Sequence, residues 1–153
     1  MKSIEQSIQL MMNSDAGQYI KLQGCSEDEL AELARAQHVA KLPETYVEFM
    51  RRVGKTKDFV SIGSDWAYPE VCTLKTSMIQ ILNEEWPDYE IDESIYVFHS
   101  HQGYQFAFFF GKDLSDNPPV YYYRFDQKSI ELIYQSFLEW LETTLSGRIS
   151  GVI

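Results

Sequence analysis

The chain has 153 residues, a formal net charge of −10 at pH 7 and 44% hydrophobic residues. This length predicts a single domain over residues 1–153 with a buried core, and the hydrophobic content excludes an intrinsically disordered chain. The negative charge disfavours binding to nucleic acid or to anionic membranes and favours a basic protein partner, although acidity can also serve solubility alone.

The first third of the chain carries three helical patterns. Ile4, Ile8 and Met11 recur at helical spacing and predict an opening helix. Ser26 followed by Glu29 predicts a capping box at the start of a second helix. The third pattern follows Leu42-Pro43 and ends at Gly54, since proline suits a first helical turn and glycine a helix end. Its buried face is predicted to hold Tyr46, Phe49, Met50 and Val53.

The middle of the chain combines a long loop with a concentration of acid. Residues 55–71 have no sustained periodicity and predict a loop with a short strand at residues 59–62. Thr73 is then expected to cap a fourth helix. Residues 84–93, which we call the acidic segment, contain six carboxylates and no basic side chain. This is the strongest local charge asymmetry in the chain.

Residues 95–125 are rich in aromatic residues and predict three neighbouring strands. The first connection is a tight turn at His101-Gln102-Gly103, and the third strand is expected to begin after Pro118-Pro119. Residues 130–134 predict a fourth strand, and a closing helix is expected to end at Gly147. This order predicts an α+β fold, a central antiparallel meander with helices packed mainly on one face.

Catalytic and metal-binding patterns are incomplete. His99 and His101 would share one face of a strand, but a catalytic zinc needs three protein ligands and no third is apparent. Ser64 and Asp65 could be joined to either histidine as a triad only on residue type. No cofactor motif is present, and only Arg124 lies in the tyrosine-rich strand, which disfavours nucleic acid. We therefore expect no enzyme, cofactor or metal, and keep a metal-binding or enzymatic role for the two histidines as an alternative.

The compartment is predicted from what the sequence lacks. Only two cysteines occur, Cys25 and Cys72, and their separation is more typical of reduced thiols than of a disulfide framework. Residues 1–13 lack the apolar run of a signal peptide, and no run reaches the length of a membrane span. We expect a cytoplasmic protein.

Several of these segments together resemble the SUKH superfamily, which includes the yeast Knr-type cell-wall regulator domain. The segment LPETYVEFMRRVG is similar to the family's Leu-Pro-x-x-Tyr-x-x-Phe helix, PPVYYYRF to its Pro-Val-x-x-Tyr strand, and SFLEWLETTL to its final helix. The resemblance covers Ser26 to Leu145, with Ser100 to Gly103 replacing the commoner Gly-Asp-Gly turn. It implies a non-enzymatic binding domain, and bacterial members are mostly immunity proteins that bind polymorphic toxins, frequently nucleases.

The resemblance and the charge pattern together lead to a predicted binding surface. We expect a cognate, basic toxin domain to contact the long loop, the acidic segment and the tight turn, with aromatic anchors and with carboxylates in place of substrate phosphates. Trp66 and Tyr68 are equally well explained as a lid over the sheet. A regulatory or scaffold domain with an endogenous partner is the alternative function. The predicted contact residues are Asp65, Trp66, Tyr68, Glu84, Glu85, Trp86, Asp88, His101, Gln102 and Tyr104.

Overall fold

The computed structural model describes residues 2–151 as an α+β fold with five α-helices and five strands. The helices are α1 (Ile4–Met12), α2 (Glu27–Ala36), α3 (Glu44–Val53), α4 (Leu74–Glu85) and α5 (Phe137–Ser150). The strands are β1 (Ser64–Asp65), β2 (Tyr96–His101), β3 (Gln105–Phe109), β4 (Val120–Arg124) and β5 (Ser129–Tyr134).

The five strands form one antiparallel sheet in the order β1-β2-β3-β4-β5, which confirms the predicted meander. The turn between β2 and β3 is the one predicted, with positive φ angles of 50° at Gln102 and 75° at Gly103. The third strand of the predicted meander begins at Val120, directly after the two prolines that cannot donate to a sheet. The predicted fold class is therefore confirmed.

Three helices cover one face of the sheet through an aromatic core. The ring of Tyr46 from α3 lies 5.2 Å from the ring of Tyr96 and 5.9 Å from that of Phe109. Phe137, at the start of α5, lies 5.5 Å from Phe98. Helix α1 packs against both α3 and α5 on this side, whereas α4 packs against β2 and reaches the turn between β4 and β5.

The side chain of Gln37 takes the place of a strand along the outer edge of β2. Its Nε2 donates to the carbonyl oxygens of Val97 at 2.8 Å and Val71 at 2.9 Å, and its Oε1 accepts from the Val97 N–H at 2.7 Å. Gln37 is completely buried, so water cannot replace these hydrogen bonds. Among the described residues, β1 pairs only with Ser100 and His101 of β2. Nearer the start of β2, Gln37 satisfies the N–H and carbonyl of Val97.

The prediction of a strand at residues 59–62 is wrong. Phe59 and Val60 are buried as loop side chains, and the short strand of this region is Ser64–Asp65 instead. Aromatic and β-branched residues favour burial as much as they favour a strand, and here burial under α3 explains them, since the Phe59 ring lies 6.2 Å from that of Phe49.

Two predicted helix ends also differ from the structure. Thr73 does not cap α4 with its side chain, because it closes a 3₁₀ turn over Glu70–Thr73 and its hydroxyl donates to the Glu70 carbonyl at 2.9 Å. Helix α5 continues through Gly147 to Ser150 and ends at Gly151, whose φ of 79° suits glycine. A single glycine inside a helix costs only about 1 kcal/mol, which packing against the core readily offsets.

Candidate functional site

One end of the sheet gathers several polar segments that are distant in sequence. Ser64 of β1 pairs with His101 of β2, and the turn of Gln102 and Gly103 follows directly. The N–H of Phe125, where β4 ends, donates to the carbonyl of Tyr104 at 3.4 Å. We call this region the turn end of the sheet.

The turn end holds four of the residues predicted to bind a partner. Asp65 and Gln102 are exposed, and Tyr104 is 37% exposed. The ring of Tyr104 stands edge-on to that of His101 at 5.6 Å. His101 is half-buried, and its Nδ1 lies 3.0 Å from the hydroxyl oxygen of Ser64. The structure therefore places the long loop next to the tight turn, so that residues of both can belong to a single surface.

Trp66 lies in the core rather than on this surface. Its ring is 2% exposed and lies 5.5 Å from the ring of Phe49, and its Nε1 donates to the Lys57 carbonyl at 3.2 Å. Of the two interpretations from sequence, the lid fits this position, so the ring of Trp66 can support a binding surface only from below.

Tyr68 is half-buried and turns toward α2. Its hydroxyl donates to the carboxylate of Glu32, and this hydrogen bond raises the pKa of Tyr68 to about 12. The carboxylate holds the side chain against α2, so Tyr68 presents only part of its ring to solvent.

The acidic segment begins at the end of α4. Glu84, Glu85 and Asp88 are exposed, and within residues 2–151 none of the segment's carboxylates forms an ion pair. Lys75, which lies near Asp92 and Glu93, donates instead to the backbone carbonyls of Gln37 and Glu93. The negative charge is therefore uncompensated at four exposed carboxylates, Glu84, Glu85, Asp88 and Glu90, of which the first three are the ones predicted to meet a basic partner.

Trp86 supplies an aromatic surface within the same acidic segment. It is half-buried, and its ring lies 4.5 Å from that of Tyr89. The segment starts near the turn end, because α4, which ends at Glu85, reaches the turn between β4 and β5. Glu85 is also close enough to Tyr123 of β4 to raise the pKa of that tyrosine, after the larger effect of burial.

A cavity of about 370 Å³ lies between the turn end and α5. Its most buried lining residues, which we call the floor, are Ser61, His99 and Trp140. We call this feature the α5 cavity. Its sides include His101, Tyr122, Tyr134 and Thr144.

A β-bulge places His99 at this cavity. Phe98 and His99 together oppose only Ala107 on β3, so both rings turn toward α5 and lie 4.8 Å and 5.4 Å from the ring of Trp140. The Nε2 of His99 is buried and has no hydrogen-bond partner within residues 2–151. Burial, and to a smaller extent the nearby His101, lowers the pKa of His99 to about 3, so the ring is neutral at physiological pH.

The two histidines thus border one cavity, as their spacing predicts. In the described part of the chain, residues 2–151, no group of three or more His, Cys, Asp or Glu side chains is placed to hold a metal ion. The hydroxyl of Ser64 accepts a hydrogen bond from Ser61 at 2.7 Å and lies beside His101. What this arrangement offers is a set of polar donors and acceptors along one wall.

Comparison with known protein families matches residues 24–143 to the SMI1 / KNR4 family (SUKH-1). The chain belongs to this family. The matched part of the SUKH-1 protein begins before α2 and ends within α5, so it contains the turn end, the acidic segment and most of the α5 cavity. The resemblance seen in the sequence over Ser26 to Leu145 is confirmed. No curated protein matches the chain.

Sequence reasoning did not find most of the cavity of this SUKH-1 protein. Tyr122, Tyr134 and Thr144 line it together with the two histidines, although they come from β4, β5 and α5. The alternation of β4 gave a partial signal, because it separates Tyr122 from Tyr121 and Tyr123. Within residues 2–151 of the SUKH-1 protein, no helix combines the length and the apolar character that crossing a membrane requires.

Proposed function

We propose that this SUKH-1 protein is a cytoplasmic immunity protein that binds a cognate toxin domain, a nuclease, stoichiometrically and without catalysis. Two lines of support come together. The chain belongs to a family within a superfamily whose bacterial members are mostly immunity proteins. Six of its exposed carboxylates lie within the ten residues of the acidic segment, which also holds the neighbouring rings of Trp86 and Tyr89.

The observation that carries the proposal is the exposed charge of Glu84, Glu85 and Asp88, which form no ion pair among residues 2–151. The acidic segment to which they belong starts near the turn end. A nuclease is basic where it holds phosphate, so an exposed group of carboxylates attracts that face and occupies it. Carboxylates already paired with lysine or arginine on their own surface would offer less attraction. The half-buried ring of Trp86 in the acidic segment and the exposed ring of Tyr104 at the turn end then supply apolar contact area.

The test first asks whether a neighbouring gene encodes a large secreted protein that ends in a toxin domain, and then uses that domain as the partner. We expect the SUKH-1 protein to co-purify with this domain at a 1:1 ratio and to rescue cells that express it. Association should slow as salt increases, because the steering charges are screened over about 10 Å at 0.1 M ionic strength.

Two charge reversals of equal size make this test specific. Glu85→Lys should slow association, because it reverses a charge of the acidic segment. Glu48→Lys should leave association unchanged, because it makes the same charge reversal at an exposed position of α3, outside the acidic segment. Equal behaviour of the two variants would contradict the role of the acidic segment. Absence of both binding and rescue, with capture of an endogenous protein instead, would favour the regulatory or scaffold function.

A further inference from the structure

Strand β5 lies at the end of the sheet and is paired on one side only. Among residues 2–151 its backbone pairs with β4 alone, regularly from Ser129 to Leu132 and then through a bulge at Ile133. Successive residues of a strand point their N–H and C=O groups alternately to one neighbour and to the other. The outward half of these groups on β5 therefore has no partner in the sheet, whereas the edge along β2 is occupied by β1 and Gln37.

A row of apolar side chains runs across the sheet and ends at β5. Its members are cross-strand partners on β2, β3, β4 and β5, namely Val97, Phe108, Tyr121 and Leu132. Partners of this kind lie on the same face of a sheet. The first two are completely buried, Tyr121 is half-buried and Leu132 is 43% exposed. Another strand beside β5 would continue the row and bury Leu132.

The two sides of β5 differ in chemistry. Glu131 pairs with Tyr122, whose hydroxyl accepts a hydrogen bond from Trp140 at 3.0 Å, so Glu131 lies on the α5 side of the sheet. Glu131 is exposed and forms no ion pair within residues 2–151. Ile130 and Leu132 alternate with it and lie on the opposite side. β5 thus presents apolar side chains on one side and an unpaired negative charge on the other.

Charge selects a basic partner for β5 over a second copy of the chain. Each copy carries a net charge of −10, so two copies repel one another. An antiparallel pair of β5 strands centred on Glu131 would also set two carboxylates opposite each other, which is destabilising. The turn that leads into β5 contacts α4, whose last residue, Glu85, belongs to the acidic segment. A basic chain attracted by this segment is therefore brought near the start of β5.

We propose that β5 pairs with an extended segment of the toxin domain, in which apolar side chains on the side of Leu132 alternate with basic side chains on the side of Glu131. This inference rests on the proposed immunity function and names the binding mode within it. Main-chain hydrogen bonds to β5 contribute affinity, and the alternation of apolar and basic residues selects the segment. The acidic segment speeds association, and the pairing with β5 slows dissociation.

Two variants and a matched control test the side-chain contacts. Leu132→Ser removes the exposed apolar contact, and Glu131→Lys reverses the charge that the basic side chain meets. We expect each variant to raise the dissociation rate of the complex with the toxin domain by roughly fivefold to tenfold. Leu10→Ser is the control, because Leu10 lies on α1 and is 47% exposed, close to the exposure of Leu132. It should leave the rate unchanged.

Amide hydrogen exchange tests the backbone pairing directly. Between Ser129 and Leu132, the amides that point away from β4 should exchange more slowly in the complex than in the free protein, by roughly tenfold or more, because each gains a hydrogen bond. The response should fall on alternate residues, since the other amides are already bonded to β4. Contact through side chains alone would not produce this alternation.

The outcomes separate this inference from the immunity function. A complex that forms without slower exchange in β5, and that dissociates at the wild-type rate in both β5 variants, would overturn the inference and leave the immunity function standing. Slower exchange in β5 that grows with the concentration of the protein alone would identify a second copy as the occupant and would also overturn it. A protein that binds no toxin domain would overturn both.

Discussion

Strand β2 passes from a closed region to an open one within six residues, and the two halves treat their polar groups differently. In the first half, the hydroxyl of Tyr96 is 2.8 Å from that of Tyr46, and the Val97 backbone is bonded by Gln37. In the second half, the buried Nε2 of His99 has no partner among residues 2–151, and His101 borders a cavity. The first half satisfies its buried polar groups within the fold, whereas the second leaves the Nε2 of His99 unsatisfied by the described residues.

The largest effect that tests this contrast is expected at Gln37. Gln37→Leu would leave the N–H and carbonyl of Val97 and the carbonyl of Val71 without partners in a dry environment. We expect the free energy of unfolding to fall by about 3 kcal/mol or more, since each buried unsatisfied group costs about 1–3 kcal/mol. Urea unfolding measures it, with the exposed variant Gln80→Leu as a control. A loss below about 1 kcal/mol would mean that the closed half does not depend on these bonds.

The next largest effect is a pH dependence from the open half. Burial lowers the pKa of His99 from an ordinary value of 6.5 to about 3 in the folded state. Between these values the unfolded chain binds a proton that the folded chain does not, so stability is complete above the unfolded pKa and is lost as pH falls toward 3. From about pH 7.5 to about pH 5, the free energy of unfolding should fall by about 2 kcal/mol more in the wild type than in His99→Phe.

Comparing the two proteins in this pH experiment cancels the titration of the other groups. Parallel pH curves for the wild type and His99→Phe would show that His99 is not held neutral by its surroundings. In that case the open half of β2 would be more accessible to water than its burial indicates.

The smallest effect concerns the tyrosine pair of the closed half. Burial raises the pKa of both Tyr46 and Tyr96, so the two hydroxyls stay protonated and bonded to one another. Tyr46→Phe should cost about 1–2 kcal/mol, because it leaves the Tyr96 hydroxyl unpaired. Adding Tyr96→Phe to Tyr46→Phe should restore much of the lost free energy of unfolding, because no unpaired hydroxyl then remains in the pair. A double-mutant cycle followed by urea unfolding measures the coupling, and strictly additive losses would contradict it.

The parts of the fold that the sequence predicts well are those set by local periodicity. All five α-helices were expected, as were β2 to β5, because each carries a helical or strand-like pattern of its own. Strand β1 has only two residues and no such pattern. It exists because Ser64 and Asp65 meet His101 and Ser100, a contact that depends on the whole fold.

The candidate site was predictable only in outline. Exposure of Glu84, Glu85 and Asp88 follows from their charge, and the structure brings the long loop next to the tight turn. Burial of Trp66 depends on Phe49 in α3, which loop composition does not reveal. The α5 cavity depends on the path of α5 across the sheet, which no local pattern specifies. Whether the predicted residues contact a partner stays a prediction.

The amide of Gln37 has a consequence for how this molecule can associate. An open edge strand is a template on which a second chain can add its own strand, and many proteins aggregate or exchange segments in this way. Along β2 that template is already occupied, by Gln37 at Val97 and by β1 at Ser100 and His101. A partner that approaches the β2 edge must therefore be recognised through side chains. This favours selective complexes over aggregation by strand addition at that edge.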